Sequence, residues 1–212
     1  MVKHILKELK SHAPFTSLGA STGIVIIIIL IYAHVLSQMS EISLIIFYIL
    51  HPLHIVLSAV VTTALYLLHK PKNHFIVPIA IGYVGSLGIA TLSDSIIPYL
   101  GEWLLKLPNR GAHIGFIEEP WLTHPAAFLG IAIAFLRSTT KLPHFGHVLI
   151  STWASLFHII MAVGTYVLWI QIASIFVFLF LAVWIPCCFS DIVFPMLFVP
   201  EIEKKRFAAH YR

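Results

Sequence analysis

Charge is the scarcest commodity in this sequence. Of 212 residues, only 10% are Asp, Glu, Lys or Arg and 59% are hydrophobic, whereas a soluble domain carries roughly 25% charged residues. That shortage excludes an ordinary soluble domain. The charges are also absent in blocks: none falls within 11–40, 42–69, 73–93, 120–136 or 142–190. Cysteine is almost missing too, with only the adjacent pair Cys187 and Cys188. A neighbouring pair inside an apolar block excludes a disulfide framework.

What is there is hydrocarbon-compatible length. A helix needs about 20 mostly apolar residues to cross a ~30 Å core. The first three blocks each fit one such helix, the fourth fits a short one, and the last fits two. The expected fold is therefore an all-α integral membrane protein with six transmembrane helices, near 17–38, 43–68, 75–98, 122–138, 145–169 and 172–198. Only Gly164 and Gln171 mark a turn between the last two. The start, "MVKHILKELKSHAPF", sets Lys3, Lys7 and Lys10 on one helical face and Val2, Ile5, Leu6 and Leu9 on the other. It reads as a short interfacial helix rather than a cleavable signal.

Basic residues set the orientation. With the N-terminus cytoplasmic, the inside receives Lys3, Lys7, Lys10, Lys70, Lys72, Arg137, Lys141, Lys204, Lys205, Arg206 and Arg212, and the outside only Lys106 and Arg110. A multi-pass protein with both termini in the cytoplasm is expected. The net charge of +4 then reflects topology, and no nucleic-acid partner is expected beside the lipid bilayer.

Three short patterns occur twice, in the same order. Pro14-x3-Leu18-Gly19 matches Pro125-x3-Leu129-Gly130. The stripe His51-x2-His54-x3-Ser58-x3-Thr62 matches His144-x2-His147-x3-Ser151-x3-Ser155, which His158 extends. Ser93-Asp94-x3-Pro98 matches Ser190-Asp191-x3-Pro195. These matches divide the chain into two three-helix repeats. The first, 1–108, carries the interfacial helix, and the second, 109–212, carries the basic tail. Three spans per repeat is an odd number, so the second enters from the opposite face, as in many carriers built from inverted repeats.

An ionisable residue inside a span marks an ion or proton path by default. Imidazole with carboxylate suits Zn²⁺ and its first-row neighbours. The expected metal ligands are His51, His54 and Asp94 in an outer half-site and His144, His147 and Asp191 in an inner one, with His158 between them. The leading expectation is a carrier for a divalent transition-metal cation, with Zn, Fe, Ni, Co and Mn not distinguished, coupled to protons. Two alternatives stand beside it. One is an intramembrane zinc hydrolase acting on a lipid or ester, which requires the ligands at one depth. The other is a haem-binding electron carrier with His54 and His158 as axial ligands. Single hydroxyls such as Ser58 and Ser151 also serve by bonding the preceding turn. Gly82, Gly85 and Gly88 point to close helix packing, and Trp153 to a place beside the second stripe. His113, Glu118 and Glu119, beside His124, fit the outer loop 103–123 to two readings: a collector of cations at the entrance, or a solvated loop with Trp103 and Trp121 at the interface.

Overall fold

A computed structural model describes residues 2–68, 75–137 and 141–199. The side chains of 2–8, 11, 141–145, 188, 191 and 192 lie outside that description. Nine α-helices are described: α1 (Val2–Tyr32), α2 (Met39–Leu68), α3 (Ile76–Thr91), α4 (Ile97–Leu104), α5 (Gly115–Glu118), α6 (Pro120–Leu136), α7 (Lys141–Ala162), α8 (Trp169–Cys188) and α9 (Phe194–Leu197). No strand occurs among the described residues. Four helical stretches are long and apolar enough to cross a membrane: His12–Tyr32, Leu36–Leu68, Ile76–Leu104 and Trp169–Cys187. Pro120–Leu136 and Gly146–Ala162 are apolar but shorter.

Several boundaries depart from expectation. The N-terminal segment is no separate interfacial helix, because α1 runs unbroken from Val2 to Tyr32 through Pro14. A proline removes one amide donor from a helix; nearby, the Thr16 hydroxyl donates to the His12 carbonyl at 3.1 Å. Pro98 does not end the third rod either, since the helix resumes as α4 to Leu104. Between α7 and α8, Gln171 makes the turn. Its side-chain oxygen accepts the Leu168 amide at 2.9 Å, and its amide nitrogen donates to the Leu105 carbonyl at 3.1 Å.

Packing is orderly. α1 and α7 run parallel, with Gly19 against Thr152 and Gly23 against Leu156. α2 and α7 run antiparallel, with His54 stacked on His147 and Phe47 against His158. α1 packs on α7 and α8 just as α6 packs on α2 and α3; α2 packs on α3 as α7 packs on α8. The short α4 meets α7 and α8, as α9 meets α2 and α3. These neighbour relations are unchanged when α1–α4 trade places with α6–α9.

The recurring glycines are points of close approach. A Cβ on Gly19 would stand 2.9 Å from the Thr152 side chain, and one on Gly130 would stand 2.3 Å from the Val56 carbonyl and 2.7 Å from Ala59. Gly82 and Gly85 pack closely against Thr63 and Thr62, but Gly88 has nothing within 4 Å. Polarity is inside out. Ile29, Ile45 and Ile49 are about 60% exposed (58%, 62% and 61%), while His51, His54, His147 and His158 are all 0% exposed. Apolar side chains face outward as lipid requires, and the polar ones are gathered within.

Candidate functional site

The site begins with a defect in a helix. At Leu92–Ile96 the third rod winds as a π-turn, and Ile97 donates to Leu92 five residues back. The next bond of that width would run from residue 98 to the Ser93 carbonyl, but Pro98 has no N–H to give. Ser155 of α7 substitutes for it. Its hydroxyl lies 2.9 Å from the Ser93 carbonyl and 2.8 Å from its own Ser151 carbonyl, with one proton shared between them. The second S-D-x3-P segment does the same locally: Phe189–Val193 is also a π-turn, and Pro195 opens α9 behind it. There Thr62 of α2 meets Ser190 at 3.3 Å. Such bulges are rare and are found frequently at functional sites.

Inside the first bulge sits Asp94, wholly buried. Its Oδ2 is 2.9 Å from His51 Nδ1 and 2.8 Å from His54 Nδ1. Its Oδ1 accepts hydroxyls from Ser93 and Ser151, both at 2.7 Å. An ionised carboxylate only accepts, so four surrounding donors match its lone pairs. The tautomers follow. With Asp94 ionised, both imidazoles donate from Nδ1, and in the neutral ring Nε2 is then a bare lone pair. The Nε2 atoms of His51 and His54 are buried and have no hydrogen-bond partner among the described residues.

A second imidazole–carboxylate pair lies further along. His158 Nδ1 is 2.7 Å from Glu102 Oε1, with the two side chains 0% and 1% exposed. Glu102 also accepts the Gly111 amide at 3.2 Å. Again Nε2 of His158 lacks a partner among the described residues. Phe47 separates the pairs, stacking on His51 at 5.2 Å and meeting His158 edge-on at 5.4 Å.

Two expectations on placement need correcting. His158 does not lie between the two histidine sets. It stands beyond His51, because antiparallel α2 and α7 put His54 level with His147 and Phe47 level with His158. Nor is His147 confined to a separate inner level, since its ring stacks on His54 at 5.8 Å and 11°. His12 of α1 follows, edge-on to His147 at 6.3 Å. His51, His54, Asp94, His147 and His158 are thus brought into one buried file. The side chains of His144 and Asp191 lie outside the described residues. Trp153 points from the stripe helix toward α1, donating to Thr22 at 3.1 Å.

The file ends under a loop. His113 meets His158 edge-on at 5.5 Å and lies 3.4 Å from Glu118. Glu118 takes the Tyr48 hydroxyl and, at 3.2 Å, the Ile114 amide. Burial pushes its carboxyl up, but the Tyr48 hydroxyl, His113 and the Ile114 amide outweigh this and hold it below the ordinary value of 4.5. Glu102, His12 and Tyr48 escaped the sequence reading. Glu102 follows a proline that looked like a helix end, and His12 sits in a segment that looked interfacial.

Among the described residues no three of His, Cys, Asp and Glu stand close enough to enclose a metal ion. No known family model matches the chain, and no curated protein or solved structure matches it.

Proposed function

We propose that this chain is a membrane carrier for a divalent transition-metal cation, driven by exchange with protons. One observation carries the reading: three buried imidazoles, His51, His54 and His158, anchor Nδ1 on a carboxylate and leave Nε2 bare. Metal-binding histidines are held this way, the outer carboxylate fixing the tautomer and raising the basicity of the ligating nitrogen. A proton and a cation cannot share one imidazole lone pair, so the two compete for each bare nitrogen.

The dispersal of the donors favours a carrier over a resident metal. A catalytic zinc needs three protein ligands around one ion, and a file offers imidazoles one or two at a time. Water completes the shell of a cation moving along it. A haem between His54 and His158 fits poorly, because Phe47 fills the space against His158.

In this proposal all six apolar rods cross the bilayer, α6 and α7 included, as two inverted three-helix repeats. Support comes from the neighbour relations that survive exchange of the halves, from the paired π-turns, and from the reciprocal contacts Ser155–Ser93 and Thr62–Ser190. His144, His147 and Asp191 then form the counterpart of His51, His54 and Asp94. Rocking of one half against the other opens the shared file to either side in turn.

The test is metal content of the purified protein, then uptake into proteoliposomes across a proton gradient. Wild type is expected to bind and move Zn²⁺ or Mn²⁺, with uptake lost in His54→Ala and His147→Ala. Binding that neither change alters overturns the proposal, as does lipid or ester turnover without ion flux.

A further inference from the structure

The segment between α4 and α6 turns back into the bundle. Asn109 donates its amide to the Ala162 carbonyl at 3.1 Å, and Gly111 donates to Glu102 at 3.2 Å. Its fit over His51 is tight enough to require glycine: a Cβ on Gly115 would stand 2.6 Å from the His51 ring and 3.4 Å from Thr123. His113 covers His158 edge-on. At the far end Glu118 holds the Tyr48 hydroxyl.

This short segment therefore roofs both imidazoles whose bare nitrogens lie nearest that end of the bundle. It is a thin roof. Its outer side faces the surroundings, with His113 30% and Glu118 43% exposed. None of residues 109–119 contributes a buried hydrophobic side chain; Phe116 and Ile117 are 40% and 63% exposed. Segments held by few buried apolar contacts open at low cost.

We infer that 109–119 is the gate of the passage at this end, closed in this structure, and that the Glu118–Tyr48 contact is its latch. What passes the gate rests on the carrier reading. That the segment opens does not, and the two fail separately.

Thr123 lies under the roof and is 0% exposed. Thr123→Cys, with Cys187 and Cys188 changed to Ser, is reacted with a water-soluble methanethiosulfonate. Tyr48→Phe removes the latch donor without adding bulk and should speed labelling about 10-fold, as loss of a hydrogen bond to a carboxylate implies. Gly115→Val should speed it at least as much, with a melting curve confirming that the variant is folded. A bifunctional thiol reagent across Tyr48→Cys and Glu118→Cys should stop uptake. Unchanged labelling in Tyr48→Phe and Gly115→Val makes the segment a fixed cap and overturns the gate, as does full uptake through the cross-linked protein. Faster labelling in a protein that moves no ion upholds the gate and removes the carrier.

Discussion

His51 and His54 donate to the same oxygen of Asp94, at 2.9 and 2.8 Å. One carboxylate oxygen thus sets the tautomer of two rings a helical turn apart. Asp94→Asn removes the charge and turns an amide N–H toward groups that are themselves donors. Cation affinity should fall about 10–100-fold, the usual effect of losing an outer-shell carboxylate. Equilibrium dialysis with Zn²⁺ measures it, and unaltered affinity removes Asp94 from the site.

Ser151 reaches the same carboxylate from α7 at 2.7 Å. Ser151→Ala leaves the buried acid one donor short, at a cost of about 1.5–3 kcal/mol for a hydrogen bond to a charged group. Thermal unfolding in detergent should show a lower midpoint, which Ser151→Thr restores in part. Equal midpoints for all three proteins contradict the bond.

Two glycines give opposite expectations. Ala at position 130 meets the Val56 carbonyl, and backbone there cannot swing aside, so Gly130→Ala should destabilise by roughly 1–3 kcal/mol. Gly88 is exposed on α3 with open space around it. Gly88→Ala should stabilise by up to about 1 kcal/mol through helix propensity. The same unfolding assay reads both, and matching shifts contradict the packing.

Glu118 carries a pH signature. Its folded-state pKa is depressed below 4.5, so its contribution is fully present above 4.5 and fades as pH falls through the lower folded value. Glu118→Gln should therefore melt below wild type at pH 5.5, and the margin should shrink as pH falls below about 4.5. It will be a small margin, because the carboxylate is 43% exposed and screened by solvent. A margin that grows on acidification contradicts the assigned sign.

Much of this was written in the sequence. The charge-free blocks gave the apolar rods, and the stripe with the S-D-x3-P pattern pointed to His51, His54 and Asp94. Glu102 stayed hidden because a proline four residues earlier normally closes a helix. Here the π-turn absorbs it, and the rod carries its acid on into the bundle. The place of His158 was illegible for a different reason. It depends on the register of α2 against α7, which the packing of Leu57 by Gly146 and of Phe47 by His158 sets and no local pattern encodes. The unbroken α1 likewise depends on its neighbours, including the bond from Trp184 to the Leu9 carbonyl at 2.8 Å.

The Ser155–Ser93 bond has a consequence for biogenesis. A proline deprives the third rod of an amide, and a hydroxyl from α7 makes good the loss. Severed from α7, that rod would carry the Ser93 carbonyl unanswered and Asp94 without its Ser151 hydroxyl, and each orphaned buried group costs several kcal/mol. The third rod and α7 therefore depend on each other for assembly, since the proline and the buried acid are fully answered only once the two have met.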